Sequence, residues 1–311
     1  MTLSKSLYIR GLQCEKSLWL KKKRPEVLQA PDDSAQAVFD TGTSVGELAC
    51  ELFSGGERIK YTGDFGSQMA KTKELIEHDA KVIYEATFCS NGVLVMVDIL
   101  RIGRDGLIIN EVKSSTSVKD VYIDDASIQY YVISSLGYKV SAVNIIHIDS
   151  SYVRGEKLEL EKFFRAEDVT EQVKQKQADI PQILSKFDEI LSKDVEPDID
   201  IGPHCSDPYN CDAWEYCWRE QRGIPEYSIF DISGLRSKKK FELYKSGVVK
   251  FEDIKELDKF NASQQIQIRS ELSQEQIIDK DAIKEFLDTL SYPLYHLDFE
   301  TFQQAVPEFI V

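Results

Sequence analysis

Two short segments of this 311-residue chain carry residue types that chemistry requires. The first is I-N-E-V-K-S-S, Ile109 to Ser115, where Glu111 and Lys113 stand two apart. Residues two apart on a strand share a face, so this carboxylate and ammonium project together while Val112 points into a core. Taken alone, Glu-x-Lys is common and ordinarily marks a half-exposed strand. The second segment, H-C-S-D-P-Y-N-C-D-A-W-E-Y-C-W, spaces Cys205, Cys211 and Cys217 at six-residue steps among proline and aromatic residues. Thiolates clustered in this way can wrap one metal centre, with Cys14 the best candidate for a fourth ligand. A tetrahedral zinc would accept the same four thiolates. Cys50 and Cys89 read as small buried hydrophobes.

The elements that must position the first group follow from the hydrophobic period. Residues 81 to 113 read as three strands, with Asn91-Gly92 and Asp105-Gly106 as hairpin signals. A two-residue loop at Asn91-Gly92 places Glu85 opposite Asp98. A two-residue loop at Asp105-Gly106 places Asp98 opposite Lys113, so Glu85, Asp98, Glu111 and Lys113 gather on one face. Three acidic groups amid Val, Ile and Leu repel one another and lose hydration unless a cation and the lysine neutralise them. Phosphodiester hydrolysis uses such a set. Asp98 and Glu111 offer hard oxygen ligands for magnesium or manganese, Lys113 orients or deprotonates the attacking water, and Glu85 is a further ligand or a supporting group. The rival reading is a structural salt-bridge cluster.

Helices are expected over residues 4 to 20, with Ser4 as N-cap, and over 34 to 53, 67 to 80 and 121 to 136, with a strand at 139 to 148 and a long charged helix at 167 to 193. A cysteine-containing loop at 197 to 218 precedes a mostly helical stretch from 230 to 290. The order is mixed α/β, with a boundary near residue 225 that separates 1–225 from 226–290 and a final segment 291–311. There is no repeat of fixed period.

Hydrophobic residues make up 42% of the chain, which suits a globular protein, and the net charge is −15. That charge argues against a generally basic, nonspecific nucleic-acid binder, although Lys16 and the run Lys21, Lys22, Lys23, Arg24 form a local basic cluster. No stretch approaches membrane-span length and the start lacks a signal-peptide core, so the expected address is cytoplasmic, where cysteines are more often ligands or buried residues than disulfides.

The order of helix, Asp at a strand end, Glu-x-Lys on the next strand, then a helix carrying Gln-Tyr resembles the RecB branch of the PD-(D/E)XK nuclease superfamily. Asp98, Glu111 and Lys113 match its three defining positions. Gln129 and Tyr130 in A-S-I-Q-Y-Y-V match the helix whose glutamine and tyrosine assist the site or contact substrate. The resemblance implies a restriction-endonuclease-like mixed central sheet flanked by helices, followed here by a small helical region. It also implies a divalent-metal-dependent DNA nuclease, an exonuclease on single strands or ends, serving repair or defence. One position departs: where the family offers a metal-binding histidine four residues after a glycine, Gly42 is followed by Gly46, and neighbouring Glu47 is the residue able to substitute.

Members of this branch that include the CRISPR-associated exonucleases and the AddB helicase-nuclease subunits build a 4Fe-4S cluster from one cysteine before the nuclease core and three after it. Cys14 and the Cys205, Cys211, Cys217 trio match. The wider spacing and R-G-L-Q-C near the start are more similar to a group of bacterial RecB-like proteins of unassigned function that carry an RNase-H-like C-terminal domain. The cluster would staple the chain start to the end of the core.

The segment from Ser233 to Ile254 has a helix-hairpin-helix rhythm that can hold a DNA backbone, or it is a plain helical linker. Y-P-L-Y-H-L-D-F-E-T-F, with Asp298 and Glu300 two apart, is similar to the first strand of RNase-H-like 3′-5′ exonucleases, and the chain reads as truncated after it. The expected partner is nucleic acid, DNA before RNA, with no membrane. The alternatives are a nonenzymatic nucleic-acid-binding repair scaffold and a zinc-stabilised interaction protein. Protein purified without oxygen is expected to contain iron, labile sulfide and a broad visible absorbance; zinc alone, with none of these, would favour the last alternative.

Overall fold

A computed structural model describes residues 3–300 and 304–309. The chain divides into two compact units, Met1–Ile199 with Gln304–Val311, and Asp200–Gln303. The division falls upstream of residue 225 and groups the cysteine loop with the helical region.

The first unit is α/β, a mixed central sheet flanked by helices. Its strands are β1 (Leu3–Ser4), β2 (Glu57–Arg58), β3 (Val82–Ser90), β4 (Val93–Ile102), β5 (Leu107–Lys113), β6 (Val140–Ile148) and β7 (Phe164–Asp168). They run in the order β2-β3-β4-β5-β6-β7, with β1 beside β4. Pairs β3–β4, β4–β5 and β6–β7 are antiparallel, whereas β1–β4, β2–β3 and β5–β6 are parallel. Helices α1 (Lys5–Gln13), α4 (Phe65–Glu77) and α5 (Asp120–Ser135) lie on the main-core side with α7 (Thr170–Lys176) and α8 (Ile180–Ser192); α3 (Asp33–Cys50) and the short α6 (Leu160–Phe163) cover the other.

The first helix does not run unbroken over residues 4 to 20. Ser4 caps α1, its hydroxyl accepting from the Leu7 amide, but Cys14 adopts extended backbone (φ −160°, ψ 114°) and a second helix, α2 (Glu15–Lys23), starts after it. The long helix expected at 167 to 193 is also three elements. β7 ends at Asp168, Thr170 opens α7 with its hydroxyl accepting from the Val143 amide and its own amide donating to Asp168, and α8 restarts with a proline in its first turn.

The meander forms with one hairpin as expected and one altered. Asn91 and Gly92 both take positive φ, 50° and 74°, the geometry of a two-residue turn, and Tyr84 pairs with Ile99 and Ala86 with Val97. Glu85 therefore stands at the level of Asp98, yet it leaves the ladder because its own φ is 59°. The apolar residues exchange faces across this point. Val93, Val95 and Val97 belong to the main core, as do Ala86 and Phe88, but beyond it Ile99 and Tyr84 belong to the opposite core while Leu100 and Ile83 return to the main one.

The second hairpin is two residues longer than its Asp105-Gly106 signal implied. Ile102 pairs with Leu107, and the Gly103 amide closes the turn on the Gly106 carbonyl at 3.0 Å. This register puts Asp98 at the level of Glu111 rather than Lys113. A shift of two preserves side-chain parity, so Glu111 and Lys113 keep the predicted face.

The second unit holds α9 (Ser237–Lys245), α10 (Ala262–Ser273) and α11 (Lys280–Asp288). After α9 the chain turns at Gly247 (φ 84°) into only a short turn of 3-10 helix, Phe251–Asp253, so the helix-hairpin-helix pattern is incomplete. Residues 291–300 lie in no strand, and Asp298 and Glu300 are exposed. Among the described residues no ladder is offered to them; Thr301, Phe302, Gln303, Ile310 and Val311 of that expected strand lie outside the described residues.

Gly106 fixes the second hairpin against β6. Its φ is 143°, and a Cβ there would meet the Lys139 carbonyl oxygen at 2.4 Å. Gly106→Ala is expected to lower unfolding stability by roughly 2 kcal/mol or more, read as a drop in the denaturant midpoint.

Candidate active site

Glu111 is almost fully buried, 2% exposed, near the end of β5. Its Oε1 accepts from two ammonium groups, Lys113 Nζ and Lys5 Nζ, each at 2.7 Å. Its Oε2 accepts from Gln129 Nε2 at 2.7 Å. Asp125, one helical turn before Gln129 on α5, pairs through Oδ2 with Lys113 at 2.6 Å and through Oδ1 with Lys5 at 3.3 Å. Asp98 accepts the Val112 amide on Oδ2 at 2.7 Å, so its carboxylate takes a place in the β4–β5 ladder. The Lys113 ammonium also lies 5.3 Å from the centre of the Tyr122 ring.

Local structure explains why these groups meet. β1 runs parallel to β4 and pairs at Val93 and Leu94, and Lys5 is the first residue past it. Glu111 and Lys113 share a strand face, while Asp125 and Gln129 share a helix face at a four-residue interval. Gln129 is wholly buried, and its Oε1 has no hydrogen-bond partner. Two carboxylate acceptors on the amide nitrogen fix the orientation of that side chain.

Burial and mutual repulsion set the charge states. Burial, reinforced by the Glu111 charge, pushes the Asp98 carboxyl up to about 7, with Lys5, Lys113 and the Val112 amide offsetting only part of this. Burial also raises Asp125, again with Glu111. For Glu111 burial acts in the same direction, but Lys113 and Lys5 together outweigh it and hold the group well below the usual carboxylate range. Both lysines bind their protons more tightly than usual, because the surrounding carboxylates outweigh the cost of burying each ammonium.

Of the residues singled out in the sequence, Asp98, Glu111, Lys113 and Gln129 come together. Glu85 is half-buried at the edge of the group, its carboxyl pushed up by burial. Glu47 is exposed and engaged by Arg58 through two hydrogen bonds of 2.9 and 2.8 Å. Gly46 has no atom within 4 Å of the position a Cβ would take, so the space for a side chain is there. Tyr130 packs half-buried against the main core, and Tyr122 is the tyrosine beside Lys113.

Lys5 and Asp125 are the members that sequence reasoning missed. Asp125 carried a signal, its four-residue spacing from Gln129; Lys5 carried none, because a β-pairing ninety residues distant in sequence delivers it. The basic cluster is partly committed elsewhere: Lys16 is buried and paired with Glu196 at 2.7 Å, and Lys23 meets Asp194.

In the second unit, the Cys211 amide donates to the Cys205 carbonyl at 2.9 Å, and Cys205 and Cys217 pack against a small core with Trp214 and Trp218, whose rings stack at 5.2 Å. Burial pushes the Cys205 thiol up. Cys14 lies in the first unit, at the break between α1 and α2. Among the described residues, no three His, Cys, Asp or Glu side chains are grouped as ready metal ligands. In the carboxylate cluster, Lys5 and Lys113 each bridge Glu111 and Asp125. The donor set itself, hard carboxylate oxygens beside a buried amide oxygen without a donor, is of the kind that magnesium or manganese accepts. Among the described residues, no helix is long and apolar enough to cross a membrane.

No family model and no curated protein matches the chain. Among solved structures, it is similar to an alkaline exonuclease from Laribacter hongkongensis, at 12% identity and a TM-score of 0.26, covering 61% of this chain and 90% of that one.

The charge states give the metal-free protein a defined pH dependence. A carboxyl whose folded pKa is raised contributes stability that is complete below its ordinary value of about 4 and is lost as pH rises through the folded value. For Asp98 that window runs from about 4 to about 7. Glu111 works in the opposite sense, its contribution surviving until strong acid. In chelator, the melting temperature is expected to fall between about pH 4 and about pH 7, and Asp98→Asn is expected to flatten that slope. An equal slope in the variant would contradict the assignment.

Proposed function

We propose that this chain is a divalent-metal-dependent nuclease of the RecB-like PD-(D/E)XK type, cleaving DNA, with single strands or ends as the favoured substrate, in repair or defence. The observation that carries the reading is the convergence of Asp98, Glu111 and Lys113 from neighbouring strands, with Gln129 locking Glu111. A structural salt bridge needs one carboxylate per lysine; here carboxylates outnumber ammonium groups in a largely desolvated position, which favours an additional cation.

Asp98 and Glu111 are the residues that would hold magnesium or manganese, with Glu85 a further oxygen at the edge. Such an ion, when bound, supplies positive charge to the scissile phosphate and makes a water acidic enough to attack it. The chain's own groups do the rest. The Val112 amide fixes Asp98, and Gln129 fixes the Glu111 rotamer. Lys113, anchored by Glu111 and Asp125 and flanked by Tyr122, presents an ammonium that orients the attacking water and offsets charge developing on the phosphate.

The cysteines belong to the same proposal. Cys14, Cys205, Cys211 and Cys217 are assigned to a 4Fe-4S cluster with a structural role, on their spacing and on the family resemblance. Asp298 and Glu300 are assigned no part in cleavage by this chain.

One observation favours a second reading. All Glu111 oxygens are already satisfied by protein donors, as in a nonenzymatic nucleic-acid-binding scaffold whose charged cluster is purely structural. Cleavage separates the two. With labelled single- and double-stranded DNA and RNA, degradation is expected in magnesium or manganese and not in chelator. Lys113→Ala is expected to reduce it at least a hundredfold, within the range of about 10²–10⁴ for such groups, in protein that is less stable but still folded by circular dichroism at the assay temperature. Cleavage unchanged in Lys113→Ala would sink the site assignment.

A further inference from the structure

Lys5 places a positive charge between two buried carboxylates. Its ammonium touches Glu111 Oε1 at 2.7 Å and Asp125 Oδ1 at 3.3 Å. That same Glu111 oxygen also receives Lys113, so it already has two donors and can enter a metal's coordination sphere only by losing one, whereas the other oxygen receives Gln129 alone. Lys113 is the worse candidate to leave. It sits in the ladder to β6, makes its shortest contact, 2.6 Å, with Asp125, and lies over Tyr122. Lys5 is the first residue of α1, at the helix end whose partial positive charge disfavours a cation, and the first turn of that helix has no acidic residue. The carboxylates hold it there, not the helix. The buried Gln129 Oε1 beside them is an acceptor without a donor.

We propose that Lys5 is a built-in occupant of the divalent-cation position, an ammonium that balances Glu111 and Asp125 in the metal-free protein and is displaced when the ion binds. This rests on reading the carboxylate cluster as a metal site. Metal binding and the Lys5 ion pairs are then mutually exclusive, so the protein holds its fold without metal but binds the ion more weakly than its carboxylates alone would.

Two measurements test this on the full chain. In the first, manganese is added to wild-type protein and the extent of acetylation of Lys5 by an amine-reactive reagent is mapped by mass spectrometry. Labelling of Lys5 is expected to rise several-fold at saturating manganese, while that of Lys113 changes little. In the second, manganese affinity is measured by calorimetry for wild type, Lys5→Met and Lys5→Arg. Lys5→Met is expected to bind about tenfold more tightly and Lys5→Arg to stay near wild type. Labelling unchanged by manganese, or a Lys5→Met affinity within twofold of wild type, overturns the proposal; the labelling arm needs no variant, so a misfolded Lys5→Met leaves it decisive. Nuclease activity with unchanged Lys5 labelling refutes the displacement and keeps the nuclease. Displacement without any cleavage refutes the nuclease and keeps the displacement. Manganese bound by neither wild type nor Lys5→Met refutes both.

Discussion

Glu111 has to be ionised in a place where ionisation is costly. It is buried near the end of a central strand, close enough to Asp98 and Asp125 for its charge to raise their affinity for protons, and the two ammonium groups make that charge tolerable. Removing one partner of such a buried ion group typically costs about 3–5 kcal/mol, because the remaining charge is left without compensation. The placement of α1, α5 and the second hairpin can be understood from this requirement. Each element delivers part of the balance: β1 leads to Lys5, β5 carries Glu111 and Lys113, and α5 carries Asp125 and Gln129.

The sheet supplies the geometry by departing from regularity. A non-glycine residue at φ 59° in mid-strand is uncommon, and Glu85 adopts this value at the level of Asp98. There β3 and β4 exchange the faces they present to the two cores, and the backbone ladder gives way to a hydrogen bond from the Val112 amide to the Asp98 carboxylate. Ordinary pleating would have made Asp98 one more member of an alternating strand. The interruption frees its carboxylate to substitute for a backbone acceptor opposite β5.

Much of this was legible in the sequence because strands and two-residue turns are local. Asn91-Gly92 set the first hairpin, and the Glu-x-Lys spacing assigned Glu111 and Lys113 to one face. The second turn was misjudged by its signal. Gly106 sits at φ 143°, outside the conformation that an Asp-Gly hairpin turn uses, because it closes against the start of β6. Likewise the helix expected at 167 to 193 yielded to tertiary structure: β7 pairs with β6, and Thr170 caps the Val143 amide. Lys5 lay beyond sequence reasoning altogether, since a parallel pairing between the chain start and β4 is not written in any local pattern. Glu47 matched a position rather than an environment, and Arg58 claims its carboxylate.

The four residues Gly103 to Gly106 also constrain how this protein can vary. Because Glu111 and Lys113 share one face of β5 while Asn110 and Val112 share the other, a length change of two residues slides Asp98 along β5 and leaves the chemistry on its side of the sheet. An insertion of one residue would have to be looped out, or it would trade Glu111 and Lys113 for Asn110 and Val112. Tolerated insertions and deletions in this turn should therefore come in pairs, making it a place where drift in chain length is quantised.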